Sequence, residues 1–129
     1  DEYYGYDDAL YSSLRFLNLI NEGQDLYSFL NNLDPCYATP ELKIKCSEES
    51  KFKIIENISK KLKNKYNLNN LILIDGVRVN LTNGWYLIRA SNTENALVIR
   101  VEGKTEEYKK QFVQEIKNLL YKENIILNL

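Results

Sequence analysis

The sequence predicts an α+β fold, with helices on one face of an antiparallel sheet. Three observations predict it. Short runs of alternating apolar residues recur between Leu42 and Glu102. Hairpin-type turns join them, the clearest at Asn83-Gly84. Two longer stretches with helical spacing, after Ser50 and after Thr105, flank these runs.

In chain order, residues 7–22 carry Leu10, Leu14 and Leu17 at helical spacing, widened by Ala9 and Phe16. Asp7-Asp8 can cap this helix, and Gly23 stops it. Asp25 caps a second, short helix bearing Leu26, Phe29, Leu30 and Leu33. This amphipathic pair has little to pack against. It reads as the remnant of a preceding domain or as a small helical subdomain. Residues 34–40 form a linker, because Pro35 and Pro40 break any helix and favour extended backbone. Leu42, Ile44 and Cys46 then alternate with Lys43 and Lys45 as a half-buried strand.

Ser50 precedes a helix to about Tyr66, with Ile54, Ile58 and Leu62 on one face. Lys60, Lys61, Lys63 and Lys65 crowd its far end, where a solvated cationic face suits the helix dipole. Leu71 to Ile74 is a short apolar strand, followed by a turn or bulge at Asp75-Gly76. Val77, Val79 and Leu81 alternate with Arg78 and Asn80, and Trp85 to Arg89 returns as the partner strand. Ala96 to Glu102 is the next strand. Thr105 caps the last helix, whose buried stripe is Tyr108, Phe112, Ile116, Leu119 and Leu120.

Composition narrows the function classes. The chain has 129 residues, 44% hydrophobic and 27% charged, enough to bury a core. Its 17 basic and 18 acidic residues give a formal charge of −1, which argues against nucleic acid and membrane surfaces as partners. No apolar run approaches the roughly 20 residues that span a bilayer. Cys36 and Cys46 lack the extra ligands of a metal motif and read as reduced thiols of a cytoplasmic protein. The absence of histidine removes the commonest general acid/base.

The stretch with the most chemical content is Arg89-Ala90-Ser91-Asn92-Thr93-Glu94, with Arg100 eleven residues beyond Arg89. Hydroxyls, an amide and turn N–H groups can wrap a phosphate, and guanidinium supplies charge and a planar fork of donors. Ser, Asn and Thr are also ordinary turn residues, so the spacing alone favours a plain turn. Pairing Arg89 with Ala96 would put Arg89, Val98 and Arg100 on one face, pointing outward; a slip of one residue would reverse this. Arg100 then has Glu102 as a possible partner, and Trp85 could stack on its guanidinium.

Asp75-Gly76-Val77-Arg78-Val79, Gly84-Trp85, Arg89-Ala90-Ser91-Asn92-Thr93-Glu94 and Arg100-Val101-Glu102 together resemble the C-terminal domain of the α-D-phosphohexomutases. The nearest likeness is to the bacterial phosphomannomutase/phosphoglucomutase branch, to which Asn92 also leans. Upstream, Tyr37-Ala38-Thr39-Pro40-Glu41-Leu42 resembles the entry to that family's fourth domain, and residues 1–33 the end of its third.

The resemblance implies a domain boundary between residues 1–36 and 37–129. It implies a four-stranded antiparallel sheet flanked by two helices, of the TATA-binding-protein-like group. By position, Arg89, Ser91, Asn92 and Thr93 would bind the phosphate that is not being transferred, and Arg100 would assist. Asn95 stands where the family often has proline, which implies a looser exit from the loop. The parent enzyme would be an isomerase that interconverts hexose 1- and 6-phosphates of glucose or mannose through a phosphoserine. It would use Mg²⁺ and a bisphosphorylated sugar activator. The phosphoserine loop, the Asp-Gly-Asp metal loop and the Gly-Glu-x-Ser-Gly-His sugar loop are not in this sequence. The resemblance and the lack of methionine thus imply that residue 1 lies inside a longer protein, whose remaining domains are partners of this one. The segment alone is expected to be inactive, with no catalytic residue, metal ligand or cofactor of its own. The rival reading is a stand-alone, non-enzymatic module that binds an anion or a protein.

Overall fold

The computed structural model describes residues 3–127, and the chain divides into two units with the boundary between Asp34 and Pro35. The first unit holds α1 (Ala9–Asn21) and α2 (Leu26–Asn31). Asp8 caps α1 by accepting from the Tyr11 N–H at 2.9 Å, and Asp25 caps α2 by accepting from Ser28 at 3.0 Å. Gly23 ends α1 in a left-handed conformation, φ 76°. Neither helix contains a buried residue, and most of their large apolar side chains are exposed.

The second unit holds the sheet. Its strands are β1 (Tyr37–Ala38), β2 (Leu42–Lys45), β3 (Leu71–Ile72), β4 (Gly76–Leu81), β5 (Gly84–Ala90) and β6 (Ala96–Gly103). They run β1-β6-β5-β4-β3, and β2 also pairs with β6; every pairing is antiparallel. The expected count of four is corrected to six among the described residues. β1 and β2 share one edge of β6, separated where Pro40 removes a ladder donor. At the other edge Leu71 and Ile72 add a two-residue strand, and the expected strand through Ile74 stops there.

The expected linker is also corrected. Tyr37 and Ala38 pair with Gly103 and Glu102. Thr39, 7% exposed, exchanges hydrogen bonds with Val101: its N–H donates to the Val101 carbonyl at 3.0 Å and its Oγ1 accepts from the Val101 N–H at 3.2 Å. Residues 37–39 are therefore part of the sheet.

α3 (Glu48–Lys65) and α4 (Glu106–Tyr121) pack on one face of the sheet. α3 begins earlier than expected, because Ser47 and not Ser50 is its cap. Ile54, Ile58 and Leu62 from α3 meet Phe112, Ile116, Leu119 and Leu120 from α4 over Val77, Val79, Tyr86, Ile88, Leu97, Ile99 and Val101. Along β4 and β5 these residues alternate with half-buried ones, so one face is core and the other more open; on β6 Val98, 2% exposed, is buried on that second face too. Buried Tyr86 and half-buried Tyr66 both donate to Glu115, at 3.0 and 2.8 Å, and Lys65 pairs with the same carboxylate at 2.7 Å. Burial first, and then the Glu115 charge, push the Tyr86 hydroxyl far above its ordinary pKa.

We expect residues 34–129 to fold without residues 1–33, because the core cluster lies wholly in the second unit. Deletion should preserve amide dispersion in the NMR spectrum. A collapsed spectrum would contradict this. Among the described residues no helix is long and apolar enough to cross a membrane.

Candidate functional site

The open face of the sheet carries the site. Lys43, Val98 and Arg89 stand opposite one another on β2, β6 and β5, and Gly76 of β4 completes the row. The next row is Arg100, Leu87 and Arg78. Arg89 and Arg100 are thus diagonal neighbours on one face. The expected pairing of Arg89 with Ala96 is corrected to Val98. The shift is two residues, so it preserves the face of every side chain.

The turn after β5 is built from within. The Ser91 N–H donates to the Ala96 carbonyl at 2.9 Å. Ser91 is 5% exposed, and its Oγ accepts from the N–H groups of Thr93 and Glu94, at 3.4 and 3.1 Å. Ser91 is therefore a structural member of the loop, with its hydroxyl proton still free to donate. Asn92 and Thr93 are exposed and, among the described residues, their side chains have no hydrogen-bond partner. Half-buried Arg89 has no acidic partner among the described residues. Arg100 donates to the Glu102 carboxylate at 3.2 Å.

Arg100 does not stack on Trp85. Arg78 does, with its guanidinium carbon 3.8 Å from the ring centroid. Both arginines lie diagonal to Trp85; Arg100 pairs with Glu102, and Arg78 also donates to the Asn80 side-chain oxygen at 2.8 Å.

Two lysines complete the loop. Lys43 pairs with Glu94 at 2.5 Å, and this hydrogen bond raises the lysine's pKa. Lys51, 2% exposed, reaches from α3 beneath the loop. The exit is tethered as well: the Cys46 N–H donates to the Asn95 carbonyl at 3.0 Å. This main-chain bond would be available to a proline at position 95 as well, since it uses only the carbonyl. A cavity of about 500 Å³ opens here, lined by Lys45, Cys46, Thr93, Glu94, Asn95 and Ala96. Burial raises the Cys46 pKa, which keeps it a thiol and a poor nucleophile.

A family profile described as "Phosphoglucomutase/phosphomannomutase, C-terminal domain" matches residues 41–119. The chain belongs to this family. It is 38% identical over 108 residues to the phosphomannomutase/phosphoglucomutase of Pseudomonas aeruginosa, covering 83% of the chain and 23% of that relative. It is 36% identical over 108 residues to the phosphoglucomutase of Neisseria meningitidis, again covering 83% and 23%. A solved phosphoglucomutase/phosphomannomutase family protein from Burkholderia thailandensis superposes with a TM-score of 0.73 at 27% identity, over 98% of this chain and 26% of its own. The chain thus spans about a quarter of the length of the relatives it matches.

Among the described residues no group of three His, Cys, Asp or Glu side chains could hold a metal ion. The Mg²⁺ expected of phosphohexomutases finds no fitting donor set among the described residues.

Proposed function

We propose that residues 37–129 are the phosphate-gripping domain of a cytoplasmic phosphomannomutase/phosphoglucomutase. In that enzyme this domain binds the phosphate of a glucose or mannose phosphate that is not being transferred. The remaining domains of the parent supply the phosphoserine, the Mg²⁺ site and the sugar contacts. Residues 1–36 belong to the preceding domain. The observation that carries this reading is half-buried Arg89, close in sequence to Asn92 and Thr93, none of the three having a side-chain partner that would compete with an anion among the described residues. A guanidinium without a carboxylate, next to exposed hydroxyl and amide groups, matches a tetrahedral dianion.

Arg89 supplies charge and a bidentate fork. Asn92 and Thr93 donate from their side chains, and the Ser91 hydroxyl proton can join them. Arg100, shared with Glu102, adds field more than contact. Grip on the distant phosphate holds the sugar while the other phosphate reacts elsewhere. Closure of the domain would use a hinge before Tyr37, since residues 37–39 are tied to β6.

The test compares glucose 6-phosphate with glucose, each titrated into the 129-residue chain and followed by amide NMR. The phosphate ester should shift residues 89–93 with affinity near millimolar, on the order of −4 kcal/mol, while glucose shifts nothing. Glucose 1-phosphate should not be turned over. Equal responses to ester and free sugar, or turnover by the chain, would contradict the reading.

A further inference from the structure

We propose that Lys51 is a positioning residue that turns two main-chain N–H groups of the loop, those of Asn92 and Asn95, toward the bound phosphate. This rests on the phosphate reading of the loop. The Lys51 Nζ donates to the Ser91 carbonyl at 2.8 Å and the Glu94 carbonyl at 3.3 Å, and pairs with Glu48 at 2.6 Å. Its three protons are all used, which offsets the cost of burying the charge.

In a trans peptide the carbonyl and the next N–H point in opposite directions. The carbonyls of Ser91 and Glu94 face Lys51, so the N–H groups of Asn92 and Asn95 face away from it. The turn uses the N–H groups of Ser91, Thr93, Glu94 and Ala96 for its own bonds, and leaves those of Asn92 and Asn95 out. An ammonium on each carbonyl also polarises its amide and strengthens the N–H as a donor. Lys51 therefore acts on the anion through two peptide planes, without touching it. Asn95 joins the site by its main chain.

The test titrates inorganic phosphate into the 129-residue chain and its variants, followed by amide NMR. In wild type the amide protons of Asn92 and Asn95 should move downfield more than those of Thr93 and Glu94, which already donate to Ser91. Lys51→Met should weaken phosphate binding by about tenfold, because two main-chain donors lose their orientation and polarisation. Lys51→Arg, which returns a cation to the two carbonyls, should recover most of the affinity. A folded Lys51→Met chain that binds like wild type overturns the proposal and leaves the loop reading standing. Failure of Lys51→Arg to recover affinity assigns Lys51 to packing and also overturns it. If Lys51→Met does not fold, the wild-type shifts decide: largest at Asn92 and Asn95 in support, largest at Thr93 and Glu94 against. A wild-type chain with no response to phosphate overturns the loop reading itself.

Discussion

Gly76→Ala is expected to destabilise the domain by roughly 3 kcal/mol or more and to weaken phosphate binding with it. Gly76 sits at φ 151°, which L side chains rarely adopt, and a Cβ there would lie 2.5 Å from the Ile88 carbonyl and 2.7 Å from Arg89 Cα. Both obstacles are backbone, so neither can rotate aside. β4 would have to part from β5 at Arg89 itself. Thermal unfolding should show a midpoint roughly 15 °C lower, by the usual size scaling. Phosphate titration of the folded variant should show weaker binding than wild type. An unchanged midpoint would mean that the β4–β5 contact is looser than described.

The second large effect is at Arg89. In the multi-domain mutase to which we assign this segment, Arg89→Ala should lower kcat/KM by roughly 10- to 100-fold, because a charge-assisted hydrogen bond is worth about 1.5–3 kcal/mol. Arg89→Lys keeps the charge but loses the planar fork, and should cost roughly tenfold. Steady-state kinetics of the two variants measure this. Wild-type efficiency in both would remove Arg89 from the binding machinery.

Much of this architecture was legible because its signals are local. Alternation along Val77–Leu81 and the Asn83-Gly84 turn specify β4, β5 and their hairpin. The stripe Phe112, Ile116, Leu119 and Leu120 specifies the buried face of α4. β1 was hidden because the prolines flanking Tyr37 and Ala38 are loop signals, while its pairing with Gly103 and Glu102 is a contact across most of the chain. The start of α3 was misplaced because Ser47 and Ser50 are equally good caps by composition, and only Ser47 is followed at once by two glutamates suited to a first turn.

The open face of the site was legible for a different reason. An error of two residues in pairing β5 with β6 leaves every side chain on its own face, so Arg89 and Arg100 still emerge together. The error arose because β5 runs on to Ala90 and the turn is closed by the Ser91–Ala96 bond. Lys51 was missed among the many lysines of α3. Its spacing was the available signal: Lys51, Ile54, Ile58 and Leu62 form one stripe, which puts a lysine where the helix faces the core. The Arg78–Trp85 stack was not legible because both Arg78 and Arg100 lie diagonal to Trp85, and periodicity does not choose between them.

The central claim is that the loop from Arg89 to Thr93 holds a phosphate. It is tested most directly by titrating inorganic phosphate into the 129-residue chain beside its Arg89→Ala variant and following amides 91–93 by NMR. Saturable shifts in wild type with a midpoint near millimolar, on the order of −4 kcal/mol, and their loss in an equally folded Arg89→Ala chain, are the expected result. Wild-type amides that stay still, or shifts that survive the loss of Arg89, would contradict it.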